Sequence, residues 1–171
     1  LSPNQFCMYS ASSNCVALAS KLCGGKDELG KTAAIYDYVI NNIRYVSTAE
    51  NSANGYIPNP DSILANAGGI CFDYASLMAA MLRSQKIPTR VVVGYACETY
   101  HAWISVYITG SGWIDGYIYF DGNKWNRMDP TFAEREKNDA DYKSTVDFIS
   151  NGSNYSVMYY GNQIDMPPKE L

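Results

Sequence analysis

The chain has 171 residues, 47% of them apolar and 18% charged, which suits one packed domain spanning residues 1–171 and leaves too little for two. Its net charge is −4 and its 13 basic residues are scattered, so the basic stripe that nucleic-acid binding needs is missing. No apolar run approaches the roughly 20 residues that cross a bilayer, and the strand-like run Val91 to Val93 is far too short.

Residues 1–25 are rich in serine, asparagine and cysteine, end at Gly24-Gly25, and are expected to form an extension ahead of the main core. A helix is predicted from Asp27, a natural N-cap, to Ile43. Leu29, Ala33, Tyr36, Val39, Ile40 and Ile43 recur there at helical intervals. Residues 47–60 hold Gly55, Pro58 and Pro60 and read as loop, after which Asp61 is expected to cap a short helical turn to Asn66. Gly68-Gly69 interrupts the chain directly before a second helix, Cys71 to about Ser84. Ala75, Met78 and Leu82 share a face with Cys71, while Leu77 and Met81 are apolar on another, so this helix should be buried under a sheet.

Pro88 stops the helix, and Arg90 to Ala96 then predicts a buried strand. His101 to Thr109 predicts another, with Ala102, Ile104, Val106 and Ile108 on one face and His101, Trp103, Ser105 and Tyr107 on the other. Tyr117–Phe120 and Lys124–Asp129 flank Asp121-Gly122-Asn123 and predict a hairpin in which Trp125, Arg127 and Asp129 share a face. Residues 134–171 are expected to be a polar C-terminal extension, with an acidic helical stretch and a Tyr/Asn-rich tail. Helices first, then consecutive strands, predict an α+β fold with an antiparallel sheet.

Five cysteines, Cys7, Cys15, Cys23, Cys71 and Cys97, are an odd number. The first three sit eight apart, which is neither a zinc-ribbon gap nor a redox pair. Small buried thiols are the expectation for them, with one or two disulfides as the alternative, and no metal site or cofactor is expected. The chain begins at Leu1 without methionine, as a processed or trimmed chain would. With its polar, tyrosine-rich composition, this favours an extracytoplasmic location.

A thiol attacks carbon as thiolate, and an ordinary cysteine has little thiolate at neutral pH. Cys71 opens a helix behind two glycines, so unpaired N–H groups and the positive end of the helix dipole face its sulfur. The same N–H groups suit an oxyanion. A cysteine starting a core helix is commonly a small apolar residue. A lone histidine is commonly structural, and an aspartate before proline commonly caps a turn. Taken together, Cys71 on a helix tip, His101 on one strand and Asp129 on a later strand supply a nucleophile, its base, and the group that orients the base.

The segment Gly68-Gly69-Ile70-Cys71-Phe72-Asp73-Tyr74-Ala75-Ser76-Leu77, continuing to Ile87-Pro88-Thr89-Arg90-Val91-Val92-Val93-Gly94-Tyr95, resembles the nucleophile motif of the transglutaminase-like superfamily. His101-Ala102-Trp103-Ile104-Ser105-Val106-Tyr107 resembles its histidine motif, and Met128-Asp129-Pro130-Thr131 its aspartate motif, in the family's order. The resemblance covers roughly residues 26–133. It implies a papain-like fold, with the cysteine helix packed on an antiparallel sheet that carries histidine and aspartate. It also implies acyl transfer through a thioester, on a glutamine carboxamide or a peptide bond of a protein or peptide substrate. The stretch between the last two motifs is enlarged by Gly110–Phe120, so Asp115 and Asp121 compete with Asp129, which keeps the Asp-Pro-Thr context. The tryptophan that many members place upstream of the cysteine is missing; Trp103, Trp113 and Trp125 all lie downstream. Tyr45 is the candidate substitute at the oxyanion, and Tyr95, Trp103 and Tyr107 are candidates for an aromatic rim over a thioester. A cysteine protease or amidase using the same triad is the first alternative. A non-catalytic binding module on the same fold is the second.

Overall fold

Apolar periodicity and turn chemistry divide this chain into a helical half and a sheet half. The computed structural model describes residues 2–46, 55–97, 99–115, 117–120, 125–127 and 155–160. Its helices are α1 (Asn14–Cys23), α2 (Glu28–Asn42), α3 (Pro60–Asn66) and α4 (Cys71–Ser84). The strands are β1 (Arg44–Tyr45), β2 (Gly68–Gly69), β3 (Thr89–Ala96), β4 (Thr99–Ile108), β5 (Gly112–Asp115), β6 (Tyr117–Phe120), β7 (Trp125–Arg127) and β8 (Tyr155–Tyr160). The main sheet is antiparallel in the order β5-β4-β3-β8, so the fold is α+β as its pattern of elements predicts.

Helix α4 is the axis of the core. Every residue from Asp73 to Arg83 is buried, and Tyr74, Leu77, Met78, Met81 and Leu82 join one apolar cluster with α1, α2 and the sheet. A core side chain of this size contributes about 1.5–3 kcal/mol when removed from water. The alternation expected in β4 is present: Ala102, Ile104, Val106 and Ile108 belong to the cluster that contains α4. Trp103 and Val92 are equally buried but stand outside that cluster, as residues of the opposite face should. Asp27 caps α2 by accepting the Gly30 N–H at 2.8 Å. Strands β6 and β7 form the expected hairpin pair, Phe120 opposite Trp125 and Tyr117 opposite Arg127.

Two elements form within the expected N- and C-terminal extensions. Residues 14–23 form α1 inside the expected N-terminal extension, burying Cys15, Ala19 and Cys23 along one face. The stripe lies in a stretch whose serine, asparagine and cysteine content suggests an extension. Near the C-terminus, Tyr155–Tyr160 adds β8 to the open edge of β3.

Asp61 also has a different task from the one expected. Asn59 caps α3 by accepting the Ser62 N–H at 3.1 Å, and Pro60 takes the first helical position, where its missing N–H costs nothing. Asp61 lies one residue inside the helix and reaches away from it. Its carboxylate accepts the N–H groups of Asn14 and Cys15, each at 2.9 Å, and so caps α1 from another element. Ser13, at the N-cap position itself, makes no side-chain cap bond.

Burial by itself would raise the Asp61 carboxyl, but the Cys15 and Asn14 N–H donors hold it below its ordinary value. A carboxyl depressed by folding contributes stability above its unfolded value and loses that contribution as pH falls through the folded one. Asp61→Ala should therefore cost about 1 kcal/mol near neutral pH. The gap to wild type should narrow in denaturant melts repeated at increasingly acid pH. An unchanged midpoint at neutral pH would contradict the cap.

Candidate active site

The turn before α4 is held from three directions. β1 runs parallel to β2, with Tyr45 opposite Gly69, and the N–H groups of Arg44 and Val46 donate to Ala67 and Gly69 carbonyls at 2.9 Å. Ile70 follows in extended conformation as the N-cap residue, and Cys71 is the first residue of the helix. Its thiol is free and half-buried. In the first turn the Asp73 and Tyr74 N–H groups donate to the Ile70 carbonyl at 3.0 and 3.1 Å. The N–H groups of Cys71 and Phe72 belong to the set that helix geometry leaves without an intrahelical acceptor.

Asp73 completes this turn from within. It is 1% exposed; Oδ2 accepts the Ile70 N–H at 2.8 Å and Oδ1 accepts the Tyr56 hydroxyl at 2.7 Å. A Cβ on Gly69 would stand 2.5 Å from the Asp73 Cβ, so the aspartate occupies the space that a side chain there would take. Burial pushes the Asp73 carboxyl above its ordinary value, and the two hydrogen bonds oppose that rise without cancelling it. Neither Asp73 nor Tyr56 was expected from sequence. The signal was present in part, since an acid two residues after the first helical residue is placed for a capping box.

His101 is the third residue of β4 and is 4% exposed. Its ring stacks on Trp103 with centroids 6.0 Å apart and planes inclined by 27°. Across the ladder from His101 lies Gly94. A Cβ there would collide with the Ser156 carbonyl oxygen of β8 and stand 2.9 Å from the Trp103 ring, so the close approach of β8 requires glycine. Helix α4 packs on both β3 and β4, so the elements carrying Cys71 and His101 are direct neighbours.

Asp129 and Asp121 lie outside the described residues. Asp115 sits on β5 opposite Ser105, on the β4 face that carries His101, and only its backbone is described. Tyr45 is 40% exposed beside the turn that leads into Cys71. Tyr95 and Tyr107 are exposed as well, Tyr95 at the end of β3 and Tyr107 against Trp113. Trp103 departs from the expected rim: at 1% exposure it lies beneath the histidine and presents no surface to a substrate. The reason is Gly94, whose missing side chain leaves room for the indole.

The family model described as the transglutaminase-like superfamily matches residues 16–130. The chain belongs to the transglutaminase-like superfamily. Among solved structures this transglutaminase-like chain is similar to a candidate cysteine protease from Cytophaga hutchinsonii, with 24% identity and a TM-score of 0.59 over 95% of this chain and 45% of that one. It is also similar to the periplasmic domain of TgpA from Pseudomonas aeruginosa bound to ethylmercury, with 26% identity and a TM-score of 0.53 over 74% of this chain and 47% of that one. LapG from Legionella pneumophila shares the fold at 13% identity and a TM-score of 0.50, over 86% of this chain and 68% of that one. The transglutaminase-like chain thus spans a little under half the length of the first two. Among curated proteins none matches it.

The remaining thiols differ sharply from Cys71. Cys7, Cys15 and Cys23 are free and buried. Burial pushes Cys7 up to about 11 against the pull of Arg83, and pushes Cys15 up to about 12 with help from Asp61. Burial raises Cys23 too. Cys97 is exposed just beyond β3, with a left-handed φ of 53° and no helix starting at it. Iodoacetamide at about neutral pH, followed by peptide mapping, should label Cys71 first, Cys97 next, and the three buried thiols only on unfolding. Early labelling of Cys7 or Cys15 in folded protein would contradict this burial.

Proposed function

We propose that this chain is a cysteine-dependent enzyme acting on protein or peptide substrates, with Cys71 as nucleophile, His101 as its base and Asp129 as the group that orients His101. One observation carries the reading: of the described thiols, Cys71 alone combines solvent access with the first position of a helix. Membership of the transglutaminase-like superfamily supports it. His101 removes the Cys71 proton while Asp129 stabilises the resulting imidazolium. The thiolate adds to the carbonyl carbon of a glutamine carboxamide or a peptide bond. The oxyanion takes hydrogen bonds from the free N–H groups of the first turn, with Tyr45 beside it. Collapse of the tetrahedral adduct breaks the C–N bond, and His101 returns its proton to the departing amine. A second nucleophile then gives its proton to His101, adds to the thioester, and expels the Cys71 thiolate.

That second nucleophile defines the activity. An amine gives a new amide, as in transglutamination, which is the first choice; water gives hydrolysis. The Cytophaga hutchinsonii structure, described as a candidate cysteine protease, keeps the hydrolytic reading in play. Incubation with a glutamine-containing protein and a labelled primary amine separates the cases. Incorporated label marks an acyltransferase, deamidation alone a glutamine hydrolase, and backbone cleavage a protease. Cys71→Ala and His101→Ala should each abolish the reaction, and Asp129→Asn should lower kcat by about a thousandfold with little change in Tm. If Asp115→Asn or Asp121→Asn is the damaging change, the acid is assigned wrongly. Full activity in Cys71→Ala would overturn the whole reading, and loss of all three activities in wild type would favour a binding module.

A further inference from the structure

Asp73 is more than a cap. It is a carboxyl group buried in the same helical turn as Cys71, two residues further on, and each of its oxygens accepts a hydrogen bond from a different part of the chain. The Ile70 N–H, at 2.8 Å, belongs to the residue directly before Cys71. The Tyr56 hydroxyl, at 2.7 Å, comes from the loop that precedes α3, 17 residues earlier. Gly69 is closed to any side chain because Asp73 fills that space. Displacing Asp73 therefore frees Ile70 and opens a gap under Gly69, and these changes lie one and two peptide units from Cys71. Both partners are donors, so both oxygens act as acceptors, which is the hydrogen-bonding pattern of the ionised carboxylate. A carboxylate in this turn favours the helix and opposes a second negative charge on the neighbouring sulfur.

We propose that Asp73 is a positioning residue for Cys71, fixing the turn that aims the thiol and setting the charge beside it, and that Tyr56 holds Asp73 in place. The proposal rests on Cys71 being the nucleophile. It makes the local field a balance: the helix N-terminus draws the thiolate out, and the buried carboxylate limits how far. It also links the loop carrying Tyr56 and the exposed Ile57 to the nucleophile through one hydroxyl, so a substrate pressing on that loop acts on the turn.

The test is the pH profile of iodoacetamide alkylation, in which the thiolate displaces iodide, read separately at Cys71 and at Cys97 by peptide mapping. In Asp73→Asn the Cys71 midpoint should move down by about half a unit to one unit, because a like charge has gone. The Cys97 midpoint should stay, and turnover should fall by about tenfold because the turn is loosened. A purely structural cap would lower Tm and leave the Cys71 midpoint where it was; that result overturns the proposal. Should Asp73→Asn fail to fold, Tyr56→Phe decides. It keeps the charge and removes one donor. It should lower the plateau alkylation rate and kcat several-fold while leaving KM and Tm nearly unchanged, and wild-type values for both rates would overturn the proposal. Loss of the underlying reading looks different: Cys71→Ala would then retain turnover, whatever Asp73 does.

Discussion

Helix α4 has to satisfy two opposed demands. Along its length it is the core, buried from Asp73 to Arg83, so it cannot shift without breaking contacts to α1, α2 and the sheet at once. At its first residue it stays open, because Cys71 keeps access to solvent. A reactive group on a loop could wander; one fixed to the tip of a fully buried helix is held by the whole core, and its first N–H groups come already oriented. The rest of the structure arranges itself around this. Tyr74 donates its hydroxyl to the Ile43 carbonyl at 2.9 Å, tying α4 to the end of α2 and so to β1. At the other end buried Arg83 donates to the carbonyls of Thr89 and Ser2, at 2.8 and 2.9 Å, pinning the start of β3 and the N-terminal segment.

The open end carries an electrostatic tension. A helix N-terminus favours negative charge, and two candidates compete for it within three residues, the Cys71 thiol and the Asp73 carboxyl. They differ in burial. Asp73 is enclosed, and burial pushes its carboxyl up, yet two donors favour its charged form. Cys71 is half open to solvent. The same comparison explains why the other thiols cannot take over. Cys7 and Cys15 are buried deeply enough for their ionisation to lie far into the alkaline range. Cys97 has the access without the helix.

How much of this could be read from the sequence follows from where each signal is local. Helix α4 is apolar on several faces and bracketed by Gly68-Gly69 and Pro88, and its observed span matches the expected one. The alternation in β4 was equally plain, because a strand with one core face repeats every second residue. The other elements escaped for physical reasons. Helix α1 lies in a stretch whose serine, asparagine and cysteine content suggests an extension, and its cap comes from Asp61 on α3. Strand β8 is polar and tyrosine-rich, and it becomes a strand by meeting the open edge of β3. At the candidate site, Cys71 and His101 were visible as residue types in a family pattern. Tyr56 was not, and Asp73 was legible only as a capping acid, because their contact exists only once the loop and the helix are brought together.

Gly94 shows the same dependence across a long distance in sequence. On the Val91 to Val93 run a glycine looks like a weak point, since it adds no packing and costs backbone entropy. In the fold it is where β8 crosses closest, at the register shift between Val93 and Gly94, with the Ser156 carbonyl filling the space a side chain would need. His101 stands opposite on β4, and Trp103 lies over the vacancy and under the imidazole. The indole can support the histidine only because Gly94 is bare. Gly94 can be bare without loss because β8 and Trp103 cover it. A strand more than fifty residues downstream of His101 thereby helps to fix the floor on which the histidine rests. Cys71 is held by a helix and its buried acid, and His101 by a glycine, an indole and a late strand. Of these supports, the late strand alone is remote in sequence from the residue it serves.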